Sequence, residues 1–155
     1  MNVPSQPVEP LRIAFVQSCW HREIVDRCRD AFVARVAELG FDAGAVECFE
    51  VPGAFELPLH AKLLARRGAF DAIVAAGLVV DGGIYRHEFV AQAVIDGLMQ
   101  VQLDSLTPVF SAVLTPHHFH AGEEHVRFFH DHMSVKGREV ANACIETLQR
   151  IALIA

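Results

Sequence analysis

The chain has 155 residues, 52% of them hydrophobic, and a formal charge of −6 with neutral histidines. That length predicts one domain able to bury its own core. The acidic balance offers no basic stripe for a phosphate backbone, so nucleic acid is excluded as the expected partner, and no apolar run is long enough to span a membrane.

The apolar excess predicts surface shared with other subunits. Cys19, Cys28, Cys48 and Cys144 form no CxxC pair, and four scattered cysteines make no disulfide framework. Buried thiols in a reducing, cytoplasmic compartment are the expectation, and no stretch resembles a signal peptide.

Pro4, Pro7 and Pro10 predict an extended arm over residues 1–10, ahead of a single domain over 11–155. "LRIAFVQ" (11–17) reads as a buried strand. Ile24, Cys28, Phe32, Val36 and Leu39 recur at helical spacing and predict a helix over 21–39, stopped by Gly40. "AVECFEV" (45–51) alternates as a strand does. Pro52 and Gly53 turn the chain into a helix over 54–67 that ends at Gly68, with Pro58 tolerated near its start. "DAIVAAGLVV" (71–80) lacks polar alternation, the mark of a strand covered on both faces. A helix over 87–103 carries the stripe Val90, Val94, Leu98 and Val101. "PVFSAVLT" (108–115) reads as a second two-sided strand. A loop and a short helix are expected next, then a last helix over 136–154.

Strands alternating with helices predict a three-layer α/β domain around a four-stranded parallel sheet. Ligands bind such sheets beyond the carboxyl ends of the strands. Four segments meet that description. "SCWH" carries Trp20, the only tryptophan, which can plug a core or stack on a flat heterocycle. "VPGAFELP" carries Gly53, which lets backbone approach a ligand, and Glu56, an acceptor for hydroxyl or ring N–H groups. "VVDGGIYRHEFV" pairs two glycines with a helix start, a setting for phosphate. Arg86 there can grip an anion and His87 can move a proton. No GxGxxG or GxxxxGK[ST] pattern occurs, so dinucleotide and P-loop readings fall away.

Six of the nine histidines lie between residues 114 and 137. Zinc needs three or four converging ligands; HExxH is absent and no cysteine lies nearby, so no metal is expected. Solvated or interface histidines are one reading of this stretch, and an anion contact from one of them, helped by Lys136, is the other. Imidazoles that charge together would make subunit contacts sensitive to mild acid.

In order along the chain, Trp20, "VPGAFELP", "AGLVVDGGIYRHEFV", "PVFSAVLT" and "KGREVANA" resemble 6,7-dimethyl-8-ribityllumazine synthase from residue 11 onward. "GGIYRH" and "TPHHFH" resemble the second, rhizobial type. The resemblance implies a flavodoxin-like fold, pentamers that pair into a decamer, an arm laid on a neighbour's sheet, and active sites between neighbouring subunits. It implies condensation of 5-amino-6-(D-ribitylamino)uracil with 3,4-dihydroxy-2-butanone 4-phosphate, with no cofactor. Trp20 would stack on the pyrimidine. Ala54, Phe55, Glu56, Leu78, Val79 and Val80 would hold the ribitylaminouracil. Gly83 and Ile84 would meet the phosphate, with Lys136 a further candidate. Ser111 and His125 would complete the pocket from the adjacent subunit, where the commoner family residues are an aromatic and an arginine.

The largest departure concerns proton transfer. Many members have histidine where this chain has Arg86, and here the histidine follows at His87. Arginine stays protonated and cannot act as a base near neutrality, but it can donate to phosphate. Arg86 is therefore placed at the site ahead of His87. The same departure keeps open a second expectation, a flavin or lumazine carrier with little turnover.

Overall fold

The structure is a computed structural model and describes residues 10–81, 86–116 and 122–155, apart from the side chain of Ala43. The expected arm, except Pro10, lies outside the described residues. So do Gly83, Ile84, His117, His118 and His120.

Four apolar runs form the strands β1 (Ile13–Ser18), β2 (Val46–Val51), β3 (Ala72–Leu78) and β4 (Val109–Leu114). They make one sheet in the order β2-β1-β3-β4, and every pairing is parallel. β1 and β3 are buried at every position, which is what central strands without polar alternation require. Ser18 pairs with Val51 and Leu78 with Leu114, so the carboxyl ends reach one common edge.

The helices are α1 (Arg22–Glu38), α2 (Leu57–Arg66), α3 (His87–Ser105) and α4 (Glu123–Ile151). Successive strand residues point to opposite faces, and β1 divides accordingly. Ile13 and Phe15 pack with Phe32, Met133, Val140 and Cys144 in the core that α1 and α4 cover. Ala14 and Val16 pack with Leu57, Leu64, Val94 and Leu98 in the core that α2 and α3 cover. The result is the expected three layers. Gly40 (φ 94) and Gly68 (φ 63) close α1 and α2 in left-handed backbone, as their places after the helical stripes suggested.

Two elements differ from the sequence reading. The last helix begins at Glu123, so the expected short helix and final helix are a single element of 29 residues. No proline interrupts it, two acidic residues open it where the helix dipole favours them, and the stripe of Val126, Phe129 and Met133 runs in phase into Val140 and Cys144. Gly137, inside this helix, serves a contact. A Cβ there would lie 2.9 Å from that of Ala31 and 3.1 Å from the Phe32 nitrogen, so its absence lets α4 approach α1 closely.

The second difference is β4, where Ala112 alone is fully buried. It is an edge strand paired only with β3, so a two-sided apolar run stays half uncovered in the single chain.

All four cysteines are free thiols. Burial pushes Cys28 and Cys144 up to about 12, with Lys136 pulling Cys28 in the opposite direction. Among the described residues no helix is long and apolar enough to cross a membrane.

Candidate active site

The turn after β1 is held from below. The Cys19 N–H donates to Val51 O at 3.0 Å, joining the ends of β1 and β2. Arg22 donates to both oxygens of the Glu50 carboxylate and, at 3.0 Å, to Cys19 Sγ. The Arg22 hydrogen bond holds the Glu50 carboxyl below its usual range, and the Glu50 partner raises Arg22. This pair ties the start of α1 to the end of β2 and so sets where Trp20 and His21 stand.

Trp20 is 68% exposed, with its indole beside Gly53. Gly53 has extended backbone (φ −137), so space rather than dihedral freedom selects it. A Cβ at 53 would stand 3.7 Å from Trp20 Cδ1 and 3.0 Å from Glu56 Oε2. The Gly53 N–H donates to that Glu56 oxygen at 2.9 Å, the helix-entry half of a capping box. Glu56 thus fastens the turn that presents Ala54 and Phe55.

These pieces surround a hollow of about 270 Å³ beyond the carboxyl ends of β1, β2 and β3. Trp20 and His21 line it from β1, and Gly53, Ala54 and Phe55 from the turn after β2. Leu78, Val79 and Val80 close it from β3, and Val90 from the first turn of α3. The lining is apolar apart from the nitrogens of Trp20 and His21, as expected for a pocket that takes a flat ring. A wider cleft of about 640 Å³ runs between the carboxyl-terminal parts of α1 and α4, lined by residues such as Leu39, Asn142 and Arg150. It lies toward the opposite edge of the sheet, away from the strand ends where α/β domains bind ligands.

The structure brings Trp20, Ala54, Phe55, Leu78, Val79 and Val80 together around one space, while Glu56 braces its wall without lining it. Arg86 caps α3 from an exposed position with its guanidinium 5.6 Å from the centre of the Phe89 ring. His87 is more enclosed, with Nδ1 3.3 Å from Glu88 Oε2. It stands three residues before Val90, which places the two near one face of the helix. Ser111 is exposed on β4, where its Oγ accepts from the Val113 N–H at 3.3 Å. His125 meets Phe129 edge-on with ring centres 6.1 Å apart, and Lys136 lies at the α1–α4 contact near Cys28. None of these last three lines the hollow of its own chain. Among the described residues no three histidine, cysteine or carboxylate side chains converge as metal ligands.

His21 and Val90 were not singled out from the sequence. Val90 belongs to the apolar stripe of α3, and periodicity does not distinguish a pocket wall from core. His21 was legible only as the neighbour of Trp20.

A parallel α/β sheet with an aromatic-rimmed hollow at its carboxyl edge defines a flavodoxin-like small-molecule-binding domain. Within that class the assignment is specific. A family model of 6,7-dimethyl-8-ribityllumazine synthase matches residues 10–152, and the chain belongs to this family. The 6,7-dimethyl-8-ribityllumazine synthase 2 of Pseudomonas syringae pv. tomato is 61% identical over 140 residues, covering 90% of this chain and 82% of that protein. The 6,7-dimethyl-8-ribityllumazine synthase of Rhodococcus erythropolis is 60% identical over 144 residues, covering 93% of each. The synthase 2 of Bradyrhizobium diazoefficiens is 57% identical over 90% of this chain and 84% of its own.

Proposed function

We propose that the chain condenses 5-amino-6-(D-ribitylamino)uracil with 3,4-dihydroxy-2-butanone 4-phosphate to form 6,7-dimethyl-8-ribityllumazine, the precursor of riboflavin. One observation carries this reading. In a chain 60% identical to a named lumazine synthase, residues from three strand ends line a single hollow with Trp20 at its rim.

The uracil's free amine attacks the ketone and loses water to give an imine. Phosphate then leaves, and the ribityl-bearing nitrogen closes the second ring with loss of another water. The substrate supplies the nucleophile, so no activated serine or cysteine is needed. The protein's main contribution is to hold two reactants in reacting order, which can be worth several kcal/mol. Trp20 stacks on the pyrimidine, Phe55 and the end of β3 enclose it, and Glu56 keeps the wall in register. Gly83, Ile84 and the cationic Arg86 receive the phosphate. His87, on the face of α3 that meets the hollow, is the second group suited to moving protons, since imidazole can both give and take them near neutrality.

Ser111, His125 and Lys136 complete the site of a neighbouring copy, in pentamers that pair into decamers. The exposed positions of Ser111 and His125's first-turn place on α4 support this, as does the apolar outer face of α2 and α3. Two buried thiols that stay protonated at neutral pH fit a reducing cytoplasm.

The test is direct. Purified protein mixed with both substrates should generate lumazine fluorescence and release one phosphate per turnover. Binding of the product without turnover would overturn the reading in favour of a carrier.

A further inference from the structure

Two polar residues are fully buried among the described residues, Gln17 and Ser18, and Gln17 is the larger. It shares a face of β1 with Ile13 and Phe15, which pack in the core that α1 and α4 cover. Burying an amide there is unfavourable unless it is hydrogen-bonded, and an apolar side chain of similar size would fill the space at least as well. The amide is used at both ends. Gln17 Nε2 donates to Asp26 Oδ1 at 2.7 Å, and Gln17 Oε1 accepts from Arg29 Nη1 at 3.3 Å. Arg29 Nη1 also donates to Asp26 Oδ1 at 3.3 Å, which closes a ring of three side chains. A carboxylate accepts and a guanidinium donates, so the third member must do both, and the amide fits one way round.

The buried residues of α1 are Ile24, Val25, Cys28, Phe32 and Val36. Apolar burial has no preferred direction, whereas hydrogen bonds do, so the ring fixes how α1 is turned and where it sits along β1. Asp26 stands one turn into the helix. Between Ser18, the last residue of β1, and Arg22, the first of α1, stand only Cys19, Trp20 and His21. The Cys19 N–H is held by Val51 O, so any play in α1 is taken up at Trp20 and His21. The Arg22–Glu50 pair also ties this turn, but both side chains are about half exposed, where water and salt weaken an ion pair.

We propose that Gln17 is a positioning residue for Trp20, acting through Asp26, Arg29 and the start of α1. It touches no ligand. Resting on the condensation proposed above, it sets how firmly the indole is held for stacking.

The test uses the full assembled protein, in which Trp20 is the single tryptophan of each chain and reports its own motion. Gln17→Met fills the space without the amide, and Asp26→Asn keeps an acceptor for the amide N–H. In time-resolved fluorescence anisotropy, Gln17→Met should show a wider local motion of the indole than wild type, with melting temperature and helix content at or above wild-type values. It should bind 6,7-dimethyl-8-ribityllumazine about fivefold more weakly, with a raised KM for the aminouracil and little change in kcat. Its indole motion should widen further in about 1 M salt, which screens the exposed Arg22–Glu50 pair, while wild type should not respond. Asp26→Asn should keep wild-type motion and affinity. An equally ordered indole in Gln17→Met overturns the proposal. A lower melting temperature with unchanged indole motion and affinity marks a purely structural role and overturns it too. Loosening in Asp26→Asn as large as in Gln17→Met would assign the effect to charge and overturn the role of the amide. Wild-type protein that makes no product, while Gln17→Met still loosens its indole, would sink the proposed condensation alone.

Discussion

The two helical layers cover the same sheet in different ways. On one side α1 and α4 close tightly: Gly137 removes a side chain where the helices cross, Phe15 and Phe32 meet with ring centres 5.2 Å apart, and the rim is charged. Arg35 and Arg138 both reach Glu38, and Arg35 also donates to Asn142. On the other side α2 and α3 bury their inner stripes but leave Leu59, Leu63, Ile95, Met99 and Leu103 exposed on the outside. One layer is finished within the chain. The other presents an apolar face that water covers poorly, as subunit interfaces do. The hollow opens next to the unfinished layer, through Val90 at the start of α3. The tightly packed layer and the opening of the hollow therefore lie on different sides of the sheet.

Substitutions on each side break or sharpen this contrast. The largest effect is expected from Gly137→Val. Its Cβ would press on the Cys28 carbonyl and the Phe32 nitrogen, backbone atoms that cannot swing aside, so the urea midpoint should fall by the equivalent of about 3 kcal/mol. Wild-type stability would show that the layer is looser than its geometry indicates.

On the opposite side, Met99→Lys with Leu103→Lys should lower the assembled mass in light scattering while leaving helix content intact. An unchanged mass would mean that this face is not an interface. Trp20→Ala should weaken lumazine binding by roughly 1–3 kcal/mol in calorimetry without altering the assembly, and equal affinity would remove the stack.

The smallest effect is expected from Glu38→Gln. Hydrogen bonding from Arg35, helped by Arg138, holds the Glu38 carboxyl below its usual value. A depressed folded pKa stabilises above the unfolded value and is lost as the pH falls through the folded one. The variant should therefore be slightly less stable at neutral pH, and the difference should shrink as the pH falls below the ordinary glutamate value of roughly 4.3 and vanish below the depressed folded value. A difference that persisted in stronger acid would place its origin outside this ion pair.

Much of this molecule follows from local pattern. The unbroken apolar run of β3, the spacing of Ile24, Cys28, Phe32 and Val36, and the glycines after α1 and α2 each report how a short segment meets water, so they are readable without the fold. Polar and aromatic residues after β1, β2 and β3 pointed to the sheet edge at which the hollow lies. The continuous α4 was read as two pieces because the histidine-rich stretch was taken for a loop and a short helix; its apolar stripe is clear only once α1 is seen against it.

The linear chain by itself determined the layer order, the parallel sheet and the family, because periodicity and motif order survive without coordinates. Tertiary structure alone decided that β4 is left half uncovered, that α4 is one continuous helix, and that His21 stands in left-handed backbone beside the hollow. Those outcomes depend on which strand lies at an edge, how closely helices cross and where a turn is pinned. Such relations join residues far apart in the chain, and no local repeat encodes them.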